Sequence, residues 1–392
     1  MLAKMDPVQL NKAPRADELP LRARALILSP DLSNAAMGRF ALDLALRVRA
    51  EGGTPLIAAP GGLLKLELQR QKIDHCLLPD PGASALGHML AAFQLSRWVA
   101  EQRATFMHVL DFSLARLAYE VMVKTGARAA ITLNQPVISA LSSRDGGTLR
   151  NFDRIVVPST IARTQLLQQL QLSDFMVRTI IPGININVVH FNRIGPHKIA
   201  TLEKNWQLPD DRPVVVVPDC PLDVLMFDHL TVSLQELKRK GVYTVLFVPP
   251  AERTTMLQRV AKHGLASHVI TASNPADRIP ALWLAHAVLV TGFRGQESLL
   301  SLIEAQAMGR PVVAFDRNGL SEILLRDDAT TLLAAEDMKT LSKALEKTLA
   351  LTSAEREDFA RRARAFVEEN FDARQMVDDV MSLYRDLATI QN

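Results

Sequence analysis

Between residues 291 and 322 the sequence gathers groups able to hold an anionic ligand. Gly292 and Gly295 precede a stretch with helical patterning. A helix beginning near Gly295 would present unpaired backbone N–H groups and a positive dipole end, which suits a diphosphate. Glu297 and Glu304 follow, seven residues apart, a spacing that returns both to one helical face. Glu297 either touches a ligand or, as a first-turn acid, complements the helix dipole. Arg294 offers a positive charge beside them, and Asn318–Gly319 lead into Glu322, either a ligand contact or a solvated helix-start acid. The loop Val217–Val224 carries Asp219 and Asp223 and no base, so its acids would repel phosphates. His108 ends an apolar run, where a lone His serves a site or the core. Asn134, after another such run, can hold a hydroxyl but cannot share a proton.

These groups need a scaffold, and the totals bound it. A chain of 392 residues is too long for one ordinary core, so two domains are expected. The two cysteines, Cys76 and Cys220, imply neither a disulfide framework nor a thiolate metal site and fit a reducing compartment. No apolar stretch approaches a membrane span. Met1–Arg24 is polar, carries Pro7, Pro14 and Pro20, and lacks the apolar block of a signal peptide. It reads as a mobile leader on a cytoplasmic protein. Residues 1–195 hold 22 Lys+Arg against 15 Asp+Glu, and the remainder 23 against 27. That asymmetry fits either an anionic acceptor or lipid surface for the first half, or an uneven solvated surface. Nucleic acid is disfavoured, because no basic run is interleaved with aromatics.

Short apolar runs alternate with helical patterns twice along the chain. The first cycle has strands expected at 25–29, 55–59, 75–78, 106–110, 129–133 and 154–157. The second has them at 213–217, 243–248, 268–271, 287–290 and 311–315. Such alternation predicts parallel sheets covered on both faces. The polar stretch Lys198–Arg212 reads as a linker, and Thr352 with Glu355 has capping-box spacing ahead of a helix to about Asn370. The expected plan is a leader (1–24), a first Rossmann-like domain (25–197), the linker (198–212), a second Rossmann-like domain (213–372) and a terminal helix (373–392).

The run Glu304-Ala-Gln-Ala-Met-Gly-Arg-Pro-Val-Val-Ala314, followed by Asn318-Gly-Leu-Ser-Glu322, resembles the retaining GT-B glycosyltransferases that build polysaccharides and lipopolysaccharides, the glycosyl transferases group 1. Ile181-Pro-Gly-Ile-Asn185 with Phe191, and the Met37–Gly53 helix after the first strand, resemble the same family. The resemblance implies two facing Rossmann-like domains, with the last helix returning to the first. It implies a nucleotide-sugar donor (UDP-, GDP- or ADP-linked) as substrate, no bound cofactor and no metal. It implies that Glu304 takes the ribose hydroxyls, and that Arg294, Gly295, Ser298, Leu299, Asn318, Gly319 and Glu322 line the donor site. On the acceptor side it points to Asn34, Gly38 and His108, and for catalysis to Gln296, Glu297 and Asn134.

The chain departs from that family at defined places. Gln296 stands where the family has a Glu, Leu299 where it has a Gly, and the 217–224 loop lacks the usual Arg and Lys. Asn134 lies near a customary His, and Ala35–Ala36 replace a glycine pair. Three functions therefore stay open. The first is metal-independent, retaining transfer of a sugar to a cell-envelope polysaccharide or glycolipid, with peripheral membrane contact through the basic first domain. The second is a catalytically silent binding or scaffold protein in glycan assembly. The third is another GT-B enzyme such as a nucleotide-sugar epimerase.

Overall fold

A computed structural model describes residues 23–30, 32, 36–133, 138, 140–334 and 340–389. The leader expected at 1–24 therefore lies almost wholly outside the described residues, as do Asn34 and Asn134.

The first cycle forms a seven-stranded, all-parallel sheet. Its strands are β1 (Arg24–Leu28), β2 (Thr54–Ala59), β3 (Asp74–Leu77), β4 (Phe106–Val109), β5 (Arg128–Thr132), β6 (Arg154–Val157) and β7 (Val177–Thr179). They lie in the order β3-β2-β1-β4-β5-β6-β7. The second cycle forms a six-stranded parallel sheet from β8 (Val214–Val217), β9 (Tyr243–Phe247), β10 (Val269–Ala272), β11 (Ala287–Val290), β12 (Val312–Phe315) and β13 (Thr330–Leu333). Its order is β10-β9-β8-β11-β12-β13. Each order reverses once, between β1 and β4 and between β8 and β11. Such reversals open crevices beyond the carboxyl ends of the strands, where α/β folds place ligands.

Burial explains why these strands read as plain apolar runs. Val214 and Val216 of β8 enter one core layer and Val215 and Val217 enter another. Leu26 and Leu28 of β1 are likewise separated from Ala25 and Ile27. With helices on both sides no face is left to be polar, and alternation disappears. The short edge strands β7 and β13 escape that pattern; both are half-buried and neither was expected.

Two expectations about the connections change. The stretch read as a linker is largely a helix, Pro196–Trp206, with Pro196 at its first turn. Ile199 and Leu202 are buried, Trp206 meets Phe247 of β9 edge-on at 6.3 Å, and Lys198 Nζ donates to the Ala276 carbonyl at 3.0 Å. This segment packs on the second sheet's domain. The chain leaves the first domain earlier, at Gly183, and returns to it beside the same point, where Ile184 bridges Asp372. A Cβ on Gly183 would sit 2.9 Å from the backbone of Ala373, so only glycine permits that crossing.

The helix Ala373–Thr389 carries the clasp. Its buried Val380, Met381, Leu383, Tyr384 and Leu387 belong to a core layer of the first sheet. Asp378 pairs with Arg47 at 2.7 Å and Arg385 with Glu51 at 2.5 Å, while Asp386 pairs with Arg178 at 2.9 Å. Tyr384 reaches the fully buried His108 of β4, its hydroxyl 2.9 Å from Nδ1, while Nε2 lies 2.9 Å from Thr132 Oγ1. His108 was expected on the acceptor side of the cleft. Its burial in the core, with both ring nitrogens on hydroxyls of the fold, removes it from that surface.

Candidate functional site

The reversal between β8 and β11 is built from the loops after those two strands, and one side chain joins them. Asp219, at the end of β8, is fully buried. Its carboxylate accepts from the Thr291 amide at 2.9 and 3.1 Å, from the Gly292 amide at 2.8 Å and from Ser298 Oγ at 2.6 Å. Thr291 Oγ1 donates back to the Asp219 carbonyl at 2.8 Å. Burial pushes the carboxyl up to about 6, against hydrogen bonds from the Ser298 hydroxyl and the Thr291 and Gly292 amides that favour the charged form. The other acid of that loop, Asp223, is an ordinary N-cap, accepting from the Met226 amide at 3.0 Å.

The helix after β11 runs Gln296–Ala307, with Gly295 as its N-cap at φ 58°. Its opening turn is less available than expected. The Glu297 amide donates to the Arg294 carbonyl at 3.2 Å, and the Ser298 and Leu299 amides donate to the Gly295 carbonyl at 3.0 and 3.2 Å. Ser298 and Leu299, both expected to line the donor site, are buried. Ser298 turns its hydroxyl to Asp219, and Leu299 enters the second domain's core. Glu297 is exposed and pairs with Arg294 at 2.5 Å, which is the first-turn acid reading rather than a ligand contact. Arg294 is spent on the same pair. Gln296 is half-buried at the first helical position.

Glu304 sits deeper on this helix, 7% exposed. Its Oε1 accepts from Arg278 Nη2 at 2.7 Å, while Oε2 is buried with no hydrogen-bond partner among the described residues. Burial raises its carboxyl above the usual range, and the Arg278 guanidinium pulls it back. Sequence reasoning missed Arg278. Its signal is positional: it opens the helix Arg278–Leu284 just after β10, at the carboxyl-end rim of the sheet.

Beyond β12 the chain turns through Asn318 and Gly319, both at positive φ (52° and 85°). Asn318 Nδ2 donates to the Gly292 carbonyl at 2.6 Å, closing the crevice floor. Glu322, expected beside the donor, instead bridges the domains. Its two carboxylate oxygens accept from the Thr160 and Ile161 amides at 2.7 and 2.8 Å, at the N-terminus of the helix Thr160–Leu170. A Cβ on Gly319 would come within 2.6 Å of Ser159 Cβ. Replacing Glu322 with Ala is expected to weaken this domain contact by about 1–3 kcal/mol, the range for hydrogen bonds to a charged group. A small-angle scattering profile identical to that of the parent chain would contradict this. On the first domain, Gly38 is buried in the opening turn of the helix Ala36–Ala50. The remaining acceptor and catalytic candidates, Asn34 and Asn134, fall outside the described residues.

Comparison with known proteins bears on this arrangement. Residues 226–350, which include Glu304 and the 318–322 turn, match the model of the family "Glycosyl transferases group 1". No curated protein matches the sequence. Among solved structures, a glycosyltransferase from Rickettsia africae ESF-5 is similar at TM-score 0.75 with 17% identity, covering 94% of this chain and 100% of that one. Anabaena Alr3699/HepE in complex with UDP and glucose is similar at TM-score 0.74 with 15% identity, again covering 94% and 100%. WaaG, a glycosyltransferase involved in lipopolysaccharide biosynthesis, is similar at TM-score 0.70 with 14% identity and the same coverage. The fold is therefore GT-B, two Rossmann-like domains with parallel sheets, as the sequence resemblance implied. The chain thus carries a glycosyl transferases group 1 segment on a GT-B fold, and the two findings together support a glycosyltransferase.

Proposed function

We propose that this protein transfers a sugar, with retention and without a metal, from a nucleotide-sugar donor to a cell-envelope polysaccharide or glycolipid. The observation that carries the reading is Glu304. A buried carboxylate oxygen without a donor is costly, and Oε2 of Glu304 is such an atom, inside the family-matched segment. A ribose hydroxyl would satisfy it, while Arg278 holds the other oxygen. The donor domain is then 213–372 and the acceptor domain 25–197, with 373–392 clasping the first.

Gln296, rather than Glu297, is assigned the sugar contact, because Arg294 already engages Glu297. The donor's leaving phosphate is assigned the acceptor's proton, since no described carboxylate is free to take it at the head of this helix. Similarity to HepE, whose structures hold UDP and glucose, supports a UDP-linked donor, and similarity to WaaG supports an envelope acceptor.

Among the described residues no helix is long and apolar enough to cross a membrane. Peripheral contact from the cytoplasmic side fits the basic first half and an exposed apolar stripe, Leu86, Met89, Leu90 and Phe93, on the helix Ala85–Gln102. Its positions recur at helical spacing, so they share one face.

Glu304→Gln is expected to weaken nucleotide binding by about 1–3 kcal/mol, read by calorimetric titration with UDP-, GDP- and ADP-sugars. Unchanged affinity in a folded variant would remove Glu304 from the site. The buried Asp219 favours a second reading, a silent scaffold on the same fold. Donor binding without turnover in that titration would select it.

A further inference from the structure

Anions in α/β folds collect at a reversal point of the sheet, on backbone amides and at helix N-termini. Here those groups are already taken. Two backbone amides after β11, Thr291 and Gly292, and the first-turn hydroxyl of the helix Gln296–Ala307, Ser298, all converge on the Asp219 carboxylate. That carboxylate is fully buried and comes from the opposite side of the reversal, at the end of β8. The geometry is that of a bound oxyanion: several donors at 2.6–3.1 Å on two oxygens. The chain has supplied its own.

We infer that Asp219 is a specificity-determining residue, an internal anion that occupies the phosphate seat of the second domain's crevice. The inference rests on the nucleotide-sugar reading, because it takes this crevice as the donor site. Arg294, the base of the neighbouring loop, is held by Glu297 and does not neutralise Asp219 by an ion pair. A donor must therefore be gripped by its nucleoside end, through Glu304, while its second phosphate adds no affinity at the reversal point. Like charges within a few ångströms in a buried setting repel strongly, and the seat's donors cannot serve two anions. Asp219 thereby sets which leaving groups the crevice accepts: it disfavours those that need this seat.

The test compares uridine, guanosine and adenosine monophosphates with the matching diphosphates by calorimetry, in the full chain and two variants. Asp219→Ala empties the seat. Asp219→Asn keeps its shape and an acceptor oxygen but removes the charge, so it guards against a folding failure in the first variant. In the parent chain the mono- and diphosphate of a given base are expected to bind within twofold of each other. In Asp219→Ala the diphosphate is expected to gain at least tenfold over the monophosphate, in line with charge-assisted hydrogen bonds. Asp219→Asn is expected to gain less. A parent chain that already binds the diphosphate tenfold more tightly, or variants that show no gain, would overturn the inference and leave the donor reading standing. No binding of any nucleotide by parent or variants would overturn the donor reading and the inference together.

Discussion

Tyr384→Ala is expected to lower the unfolding free energy by about 3–5 kcal/mol, the range for removing a large buried aromatic. Tyr384 is fully buried in the first domain's core although it comes from the last helix of the chain. Its ring lies 4.9 Å from Phe106 and meets His108 edge-on at 5.5 Å. The truncation opens a cavity between the Ala373–Thr389 helix and β4, and it leaves His108 Nδ1 without its hydroxyl. The neighbouring pairs of that helix, Asp378 with Arg47 and Asp386 with Arg178, are solvent-exposed and cannot hold it alone. Tyr384→Phe separates the two contributions: it keeps the packing and should cost about 1–3 kcal/mol for the unpaired buried nitrogen. Denaturant titration of both variants gives the values. A loss below 1 kcal/mol for the Ala variant would mean the last helix does not clasp the first domain in solution.

The strands were legible because their burial is complete. A run such as Pro213-Val-Val-Val-Val217 has few alternatives to a central parallel strand once turn residues bound it and helical patterns flank it. Edge strands carry no such signature. β13 reads Thr-Thr-Leu-Leu with only Leu333 buried, and β7 has three residues. The helix Pro196–Trp206 was mistaken for a linker because its apolar face is only Ile199 and Leu202, with Trp206 at its end, among polar and basic residues. Charge density there reported exposure of one face, and exposure was misread as absence of structure.

The site was legible in its position and less so in its chemistry. The glycines and the seven-residue Glu297–Glu304 spacing located a helix N-terminus correctly, and the helix begins at Gln296. What periodicity could not give is which of the two acids is buried. Glu304 lies about two turns inside a helix whose residues 298–307 are almost all buried, while Glu297 sits at its exposed mouth. Asp219 was read as a phosphate-repelling acid on a loop. Sequence carries no sign that three donors from 72 and more residues away would close around it. Glu322 shows the same limit: its partners, the Thr160 and Ile161 amides, belong to the other domain.

Acidification is expected to undo the clasp through His108. Burial lowers this imidazole from 6.5 to about 3, and the only side chains on its ring nitrogens are the hydroxyls of Tyr384 and Thr132. Either neutral tautomer suits two hydroxyls, each able to donate or accept, whereas the imidazolium would sit in the core without an anion. The folded-state value is depressed, so the stabilisation is complete above the unfolded value of 6.5 and is lost as pH falls from there towards 3. At 1.36 kcal/mol per unit, the loss is about 2 kcal/mol by pH 5 and about 4 kcal/mol by pH 3. Asp219 works in the opposite direction. Its carboxyl is raised from 3.8 to about 6, so it adds stability as pH falls through that window and partly masks the histidine in the parent chain. The difference between the parent and His108→Gln removes the mask, because Asp219 titrates in both. That difference in unfolding free energy is expected to be constant from pH 8 to 7 and to shift by about 2 kcal/mol against the parent by pH 5. A flat difference across 6.5 to 5 would place water or an acid beside His108, and the terminal helix would then not seal the core of the first domain.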